Sequence, residues 1–562
     1  MALCLTGAAT ATECDGYAPE YDGYLVQIDA NAPARLMDGR KTAASKAVTP
    51  KLKDVYAPAG LYQAKTAADV ERLRKSGVLV SAEPNYIINL DDTPDPDDEE
   101  TELLDASGTS ETQWYETPLG ADWVRQKGVT GEGVRVGIVD SGIFKEHEDF
   151  AGVKILDGAN YCVPENDPAR NDVSDSVGHG TFVSGLIAAA SNGKGIVGLA
   201  PGVELVPLKC FESKSGSIAD IAAAIYGGVD VWKCQVLNLS LGIEKDSAAL
   251  RKAIEYAASK GVLMVAAAGN LTGGKHDANG DPLNYPAAYP QVIGVGAVGS
   301  NLSAASFSYR NESVEVAAPG QNMRGPSAWD AAKTVSGYGT SYASPIVAAA
   351  AALTLSVRPG TTVAEFRDFL KSAVKDLGDE GYDTSYGNGL LQVGKLCAAA
   401  NPDKMACAVT WKNYDGAVLK VDEHVLPGTL PAYDGADPVR TGYLFAGWDP
   451  APVPVAGDIE YVAQFVPDPD SADIRTPSEY AITEAVPDGD ALKVTLTNPD
   501  AVTVAASYFD ADRRFLNASL QAADADAGAV TLPLSEEAQK ARVMLLDPDC
   551  RPLCGAFEVE LG

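Results

Sequence analysis

The run Gly339-Thr340-Ser341-Tyr342-Ala343-Ser344-Pro345, followed by the alanine-rich stretch Ile346 to Leu355, constrains this chain most. Alanine is the best helix former, so the stretch reads as a helix entered through a turn of small residues. Ser341 then lies at or near a helix N-terminus, where backbone N–H groups are unpaired and the helix dipole favours negative charge. Two readings of Ser341 follow. It can cap a core helix, as serine often does. It can also attack a carbonyl while its own N–H helps hold the resulting oxyanion. The apolar run is shorter than the ~20 residues a bilayer requires, so no transmembrane segment is expected.

At 562 residues and about 150 per domain, the chain has room for about three to five domains. A net charge of -33 leaves no basic surface to offset phosphate, which argues against nucleic acid as a partner. The same acidity favours solubility and suits calcium. The nine cysteines are scattered and odd in number, which is not a disulfide framework. Cys550/Cys554 and Cys397/Cys407 are each close enough in sequence to close a small loop. No Cys/His cluster has zinc spacing, and no cysteine nucleophile is expected. Residues 1–21 lack a basic start, yet Ala9-Thr10-Ala11 resembles a signal-peptidase site. They read as a remnant of a secretion signal or as a disordered terminus.

Residues 22–92 read as a small α+β unit. Tyr24 to Ile28, Val78 to Val80 and Tyr86 to Leu90 have strand character, and Ala67 to Lys75 has helical spacing. Residues 93–112 form an acidic linker. From Asp91 to Asp105 nine of fifteen residues are acidic and none is basic, so this stretch repels itself and stays solvated. Residues 113–397 alternate strand-like runs with helical patterns, the mark of an α/β domain around a parallel sheet. Its buried strands include Val134 to Val139, Val236 to Leu239 and Gly261 to Val265. Ligands bind beyond the carboxyl ends of such strands.

Asp140-Ser141-Gly142 follows the first of these strands, and Ala268-Gly269-Asn270 follows the third. Between them Gly178-His179-Gly180-Thr181 opens the helical run Phe182 to Ala190. Each signal alone has a structural explanation as a turn, a cap or a core histidine. Together they supply the parts of acyl transfer. Ser341 needs a base, and His179 can take its proton. Asp140 can fix the tautomer of His179 and steady its imidazolium. Asn270 can donate to the oxyanion beside the Ser341 N–H.

Four sequence blocks carry a family resemblance: Val136 to Ile143 around Asp140, His179 to Gly185, Ala267 to Asn270, and Gly339 to Pro345. In their order Asp, His, Ser, residues 113–397 resemble the subtilisin-like serine proteases, or subtilases. The resemblance implies a three-layer domain around a parallel sheet, a peptide-bond hydrolase acting through an acyl-enzyme, and no cofactor for catalysis. Phe182 and Tyr342 stand where the family often has histidine and methionine. By the same resemblance Ser240, Leu241, Gly242, Ala268 and Gly269 bind substrate, with large apolar P1 side chains preferred. Asp149 and Asn192 are candidate ligands of a structural calcium, although Lys194 brings positive charge into that loop. The insertion Thr272 to Asn284 contains Asp277, Asn279 and Asp281, a partial calcium-loop pattern.

Residues 22–92, with Glu83-Pro84-Asn85-Tyr86, resemble a subtilase inhibitor-type propeptide, an intramolecular inhibitor that the enzyme removes. The alternative is a permanent N-terminal module. Residues 398–469 resemble a Listeria–Bacteroides-type repeat, and residues 470–562 alternate like an immunoglobulin-like β-sandwich. The two β-rich accessory domains serve as spacers or as contacts to a cell surface or glycan. The expectation is a secreted or surface protease of a bacterium, made as a zymogen and acting on protein or peptide substrates. Two other classes stay open, a surface binding protein whose protease only matures it and an inactive protease-fold scaffold.

Overall fold

The computed structural model describes residues 20–29, 52–90, 103–105, 113–271, 273, 275–426, 428–455, 457–468, 481–497, 502–523, 528–535, 537–547, 550, 553 and 556–561. The signal-like start, most of the acidic linker and the thiols of Cys4, Cys14 and Cys554 lie outside these residues. The chain divides into two compact units, 1–406 and 407–562.

In the first unit a long sheet runs in the order Val374–Lys375, Leu390–Leu391, Val316–Pro319, Val292–Val298, Leu263–Ala267, Val236–Leu239, Arg135–Asp140, Glu204–Lys209 and Lys154–Ile155. All neighbours along this path are parallel except the first pair. The chain leaves Arg135–Asp140 for the strand on one side and returns to Val236–Leu239 on the other. A sheet whose order reverses in this way opens a crevice at the carboxyl ends of the two strands. Asp140 and Ser240 lie at that crevice.

The helix Thr340–Val357 packs against the central strands and is buried at every residue but Ser356. Its length and composition would let it cross a membrane, but 94% of it is enclosed by the protein. Alanine at six of its positions lets sheet and helix approach closely. The helix His179–Ala188 is buried throughout and packs beside it.

Residues 20–29 and 52–90 form an antiparallel sheet of Leu79–Asn89, Tyr21–Ile28, Leu61–Ala64 and Leu52–Tyr56, backed by the helix Ala67–Ser76. The two strands expected at Val78 to Val80 and Tyr86 to Leu90 are one continuous strand, because Pro84 needs no N–H partner there. This strand extends the small sheet onto Ser215–Ser217 of the large domain, pairing Asn89 with Ser215 and Ile88 with Gly216. Leu103–Asp105, expected as solvated linker, instead pairs antiparallel with Lys333–Gly337. Exposed N–H and C=O groups on a strand edge accept such an addition whatever the added side chains.

The second unit holds a sheet ordered Val418–Val425, Cys407–Lys412, Ile459–Pro467, Tyr443–Asp449. Its core is aromatic, with Trp411 fully buried between Tyr461 and Trp448, each with ring centroids 4.7 Å away. Two further sheets, one of three strands and one of four, share an apolar core that includes Leu492, Val504, Leu532 and Val543.

Candidate active site

Asp140 is the last residue of its strand, and the turn Ser141-Gly142 follows it. Its carboxylate oxygens lie 2.8 and 3.0 Å from Nδ1 of His179, the first residue of its helix. A carboxylate can only accept, so Nδ1 carries the proton and Nε2 is left as the basic nitrogen. Asp140 also accepts from the Ser141 N–H at 2.7 Å. This close approach requires a glycine after the histidine: a Cβ on Gly180 would fall 2.3 Å from the Gly142 carbonyl oxygen.

The buried carboxylate of Asp175 organises the entry to the histidine helix. One oxygen accepts from the N–H groups of Val177 and Gly178 and from the Ser141 hydroxyl; the other accepts from the N–H and hydroxyl of Thr181. It thereby satisfies donors that a helix start leaves unpaired, with the charge the dipole favours. Ser141 in turn accepts from Gly180 N–H at 2.9 Å. Asp175 and Ser141 thus tie the Asp140 turn to the His179 turn.

Ser341 is the second residue of its helix. Its hydroxyl donates to the Ser240 carbonyl at 3.3 Å. The ring of Tyr342, the next residue, lies 5.7 Å from that of His179 and 4.3 Å from that of Phe182. The starts of the two helices therefore meet. Pro345 stands four residues after Ser341 and has no N–H, so the Ser341 carbonyl lacks its helical donor. The Ser240 hydroxyl takes that place at 2.6 Å, itself accepting from Asn238 Nδ2 at 2.9 Å. Ser344 completes the chain with a 2.8 Å bond to Asn238 Oδ1.

Asn270 Oδ1 accepts from the Thr340 N–H and hydroxyl, both at 2.9 Å. Because an N–H only donates, the atom facing it is the amide oxygen, and the amide's donor end is turned the other way. The Thr340 hydroxyl also accepts from Gly269 N–H at 3.2 Å. Asp140, His179, Asn270, Ser240 and Ser341 are thus tied into one locality.

Of the other expected residues, Leu241 is buried after Ser240, and Gly242 follows it. Ala268 is fixed by its N–H to the Val295 carbonyl, and Gly269 holds a left-handed φ of 110°. Thr340, Asn238, Ser344, Asp175 and Ser141 were missed by the sequence reading. Thr340, Ser344 and Ser141 sit inside the motifs but are passed over beside their neighbours.

The calcium candidates divide. Asp149 is fully buried, one of its oxygens accepts from Ile196 N–H at 3.3 Å, and Oδ1 has no hydrogen-bond partner. Burial pushes its carboxyl up to about 7. An orphaned buried carboxylate oxygen fits a cation. Asn192 is engaged otherwise: its Oδ1 accepts from Lys194 N–H and its Nδ2 donates to the Glu148 carbonyl, while Lys194 Nζ pairs with Glu148. Among the described residues no group of three or more His, Cys, Asp or Glu is arranged to hold a metal ion. In the insertion, Asp281 accepts from the N–H groups of Asp277 and Arg310 and lies 2.8 Å from His276 Nδ1. Its oxygens therefore serve the loop's own donors.

The buried thiols do not contribute chemistry. Burial pushes Cys234 and Cys397 up to about 12, so neither is a thiolate at neutral pH.

Residues 131–389 match the model of the subtilase family. The chain is 41% identical over 289 residues to subtilisin DY of Bacillus licheniformis, covering 50% of this chain and 98% of that protein. It is 36% identical over 280 residues to subtilisin Savinase of Lederbergia lenta, covering 50% and 96%. It is 33% identical over 343 residues to the minor extracellular protease Epr of Bacillus subtilis, covering 58% of this chain and 50% of that protein. A parallel sheet with its switch point at Asp140, the Asp140–His179 pair, the serine at a helix start and these likenesses agree, and the chain belongs to the subtilase family of serine endopeptidases.

Proposed function

We propose that this endopeptidase works through Ser341, His179 and Asp140, and that it is made as a zymogen that removes residues 22–92. His179 Nε2 takes the Ser341 proton as Oγ attacks the scissile carbonyl, and Asp140 steadies the imidazolium. The Ser341 N–H and Asn270 Nδ2 hold the oxyanion. His179 then returns the proton to the leaving amine, and water releases the acyl group by the reverse sequence. The observation that carries this reading is the Asp140–His179 pair, whose geometry makes Nε2 the base.

The zymogen reading rests on how the N-terminal module is held. Glu83 accepts from the Ser247 hydroxyl and the N–H groups of Ala248 and Ala249, at the start of the helix Ala248–Ser259. Asn85 accepts from Ala219 N–H at the start of the helix Ile218–Asp230. An anion and an acceptor thus cap two helices of the large domain, where the dipole rewards them. Tyr56 stacks on Tyr226 at 4.0 Å, and Lys53 pairs with Asp220 at 2.8 Å. Leu90 N–H donates to Lys214 O, continuing the added strand by one more bond. A strand added to an edge of the protease domain in this way can block substrate and can itself be cut.

Secretion fits the acidic chain and its similarity to a protease named extracellular. Calcium at Asp149, with Asn192 turned to join it, is also part of the proposal. So are a repeat-type domain at 398–469 and an immunoglobulin-like domain at 470–562 that contact a surface or glycan. The expected preference for large apolar P1 side chains depends on what lies between residues 240–242 and 268–269.

A fluorophosphonate probe tests the mechanism. It should label Ser341 of the parent stoichiometrically and label neither Ser341→Ala nor His179→Ala. Equal labelling of His179→Ala would remove His179 from the mechanism.

A further inference from the structure

We propose that Leu103–Asp105 stays on the catalytic domain after the N-terminal module is removed, and that it acts there as a positioning strap for the helices that carry His179 and Ser341. The inference rests on the endopeptidase and self-processing readings above.

The strands Met323–Pro326 and Lys333–Gly337 form an antiparallel ribbon, with Met323 opposite Gly337. The Gly339 N–H donates to the Gly320 carbonyl at 2.8 Å and closes the base of the ribbon, so its second arm leads into the turn before Ser341. The ribbon packs closely on both catalytic helices. A Cβ added at Gly325 would fall 2.5 Å from the Phe182 ring, and one at Gly337 would fall 2.9 Å from the Tyr342 ring. One at Gly178, the residue before His179, would fall 2.7 Å from the ring of Trp329 in the ribbon's turn. Packing this tight transmits a displacement instead of absorbing it. Where the ribbon sits therefore bears on where His179 and Ser341 sit.

The chain that follows the N-terminal module grips both arms. Leu103–Asp105 adds a third strand to the edge of Lys333–Gly337 that faces away from Met323–Pro326. Its register sets Leu103 opposite Val335, Leu104 opposite Thr334 and Asp105 opposite Lys333. Further on, Gln113 Nε2 donates to the Arg324 carbonyl at 2.7 Å, and Trp114 Nε1 donates to the Gln321 carbonyl at 3.2 Å. A two-stranded ribbon is marginal alone, and a third strand steadies it. The N-terminal module holds a different edge, Ser215–Ser217. The two attachments are separate, so a cut between them frees the module and leaves the strap. Backbone groups already paired with Lys333–Gly337 cannot at the same time add to an edge that presents substrate, which puts the cut before Leu103.

The test uses mature enzyme prepared from the full chain. Its N-terminal sequence should begin upstream of Leu103. The double variant Leu103→Pro/Leu104→Pro removes a ladder N–H whichever way the donors alternate. It should mature and take the fluorophosphonate probe, with kcat lowered at least about threefold and KM within about twofold of the parent, well inside what a small misplacement of catalytic groups costs. The rates are measured far below both unfolding midpoints, so that lost fold does not enter them. If the double variant does not mature, Gln113→Ala tests the same grip from the first arm, and its kcat should fall with KM held. A mature parent that begins after Asp105 overturns the inference. So does a parent-like kcat in the double variant or, where that variant does not mature, in Gln113→Ala. With the parent labelled at Ser341, either outcome removes only this inference. A parent that neither takes the probe nor loses its module removes the readings beneath it.

Discussion

Replacing Ser240 with alanine should expose what Pro345 does to the active-site helix. With proline at 345 the Ser341 carbonyl has no helical donor, and the Ser240 hydroxyl is the donor it uses. Ser240→Ala leaves that buried carbonyl unpaired and removes the acceptor of Asn238 Nδ2. An unsatisfied buried group costs about 1–3 kcal/mol, so the two together cost about 2–6 kcal/mol. For a domain this large, at about 2–4 °C per kcal/mol, that is a fall of roughly 4–24 °C in its unfolding midpoint. The assay is thermal unfolding of the catalytic unit in a Ser341→Ala background, which removes self-digestion and keeps the carbonyl. The control is Pro345→Ala, which restores an N–H four residues after the carbonyl. In that background Ser240→Ala should cost at least about 1 kcal/mol less, a coupling of the size seen between residues sharing a partner. An equal cost in both backgrounds would refute the reasoning.

Asn270→Ala should lower kcat by about 10²–10³ with little change in KM, the loss expected for an oxyanion donor; parent-like turnover would remove Asn270 from that role. Chelation with EDTA should lower the unfolding midpoint of the parent and leave Asp149→Asn unchanged, whereas an EDTA-insensitive parent would end the calcium reading. A thiol pushed up to about 12 stays protonated at every pH below that. Cys234 and Cys397 should therefore resist alkylation at pH 8 in the native protein and react on unfolding, as mapped by peptide mass spectrometry.

Asp140, His179, Asn270 and Ser341 could be read from sequence because each sits in a short run with small residues at fixed neighbours. Strand and helix patterns likewise placed Arg135–Asp140 and His179–Ala188 to within a few residues. What escaped was held by contacts between distant positions. Asn238, Ser240 and Ser341 form one network across a separation of about a hundred residues, and the strand pattern around Asn238 does not show that partnership. Leu103–Asp105 looked solvated because charge surrounds it, while its backbone answers to the free edge of Lys333–Gly337. Asn192 was placed by resemblance, and its side chain turns to Lys194 and Glu148 for local hydrogen bonds.

Intact mass after incubation tests the central claim most directly. The full chain and its Ser341→Ala variant are expressed side by side, held overnight, and weighed by mass spectrometry. The account predicts that the parent loses its N-terminal module by a cut between Tyr86 and Trp114 while Ser341→Ala stays whole. A Ser341→Ala chain that is processed like the parent would contradict it, because the bond would then be cut without the nucleophile.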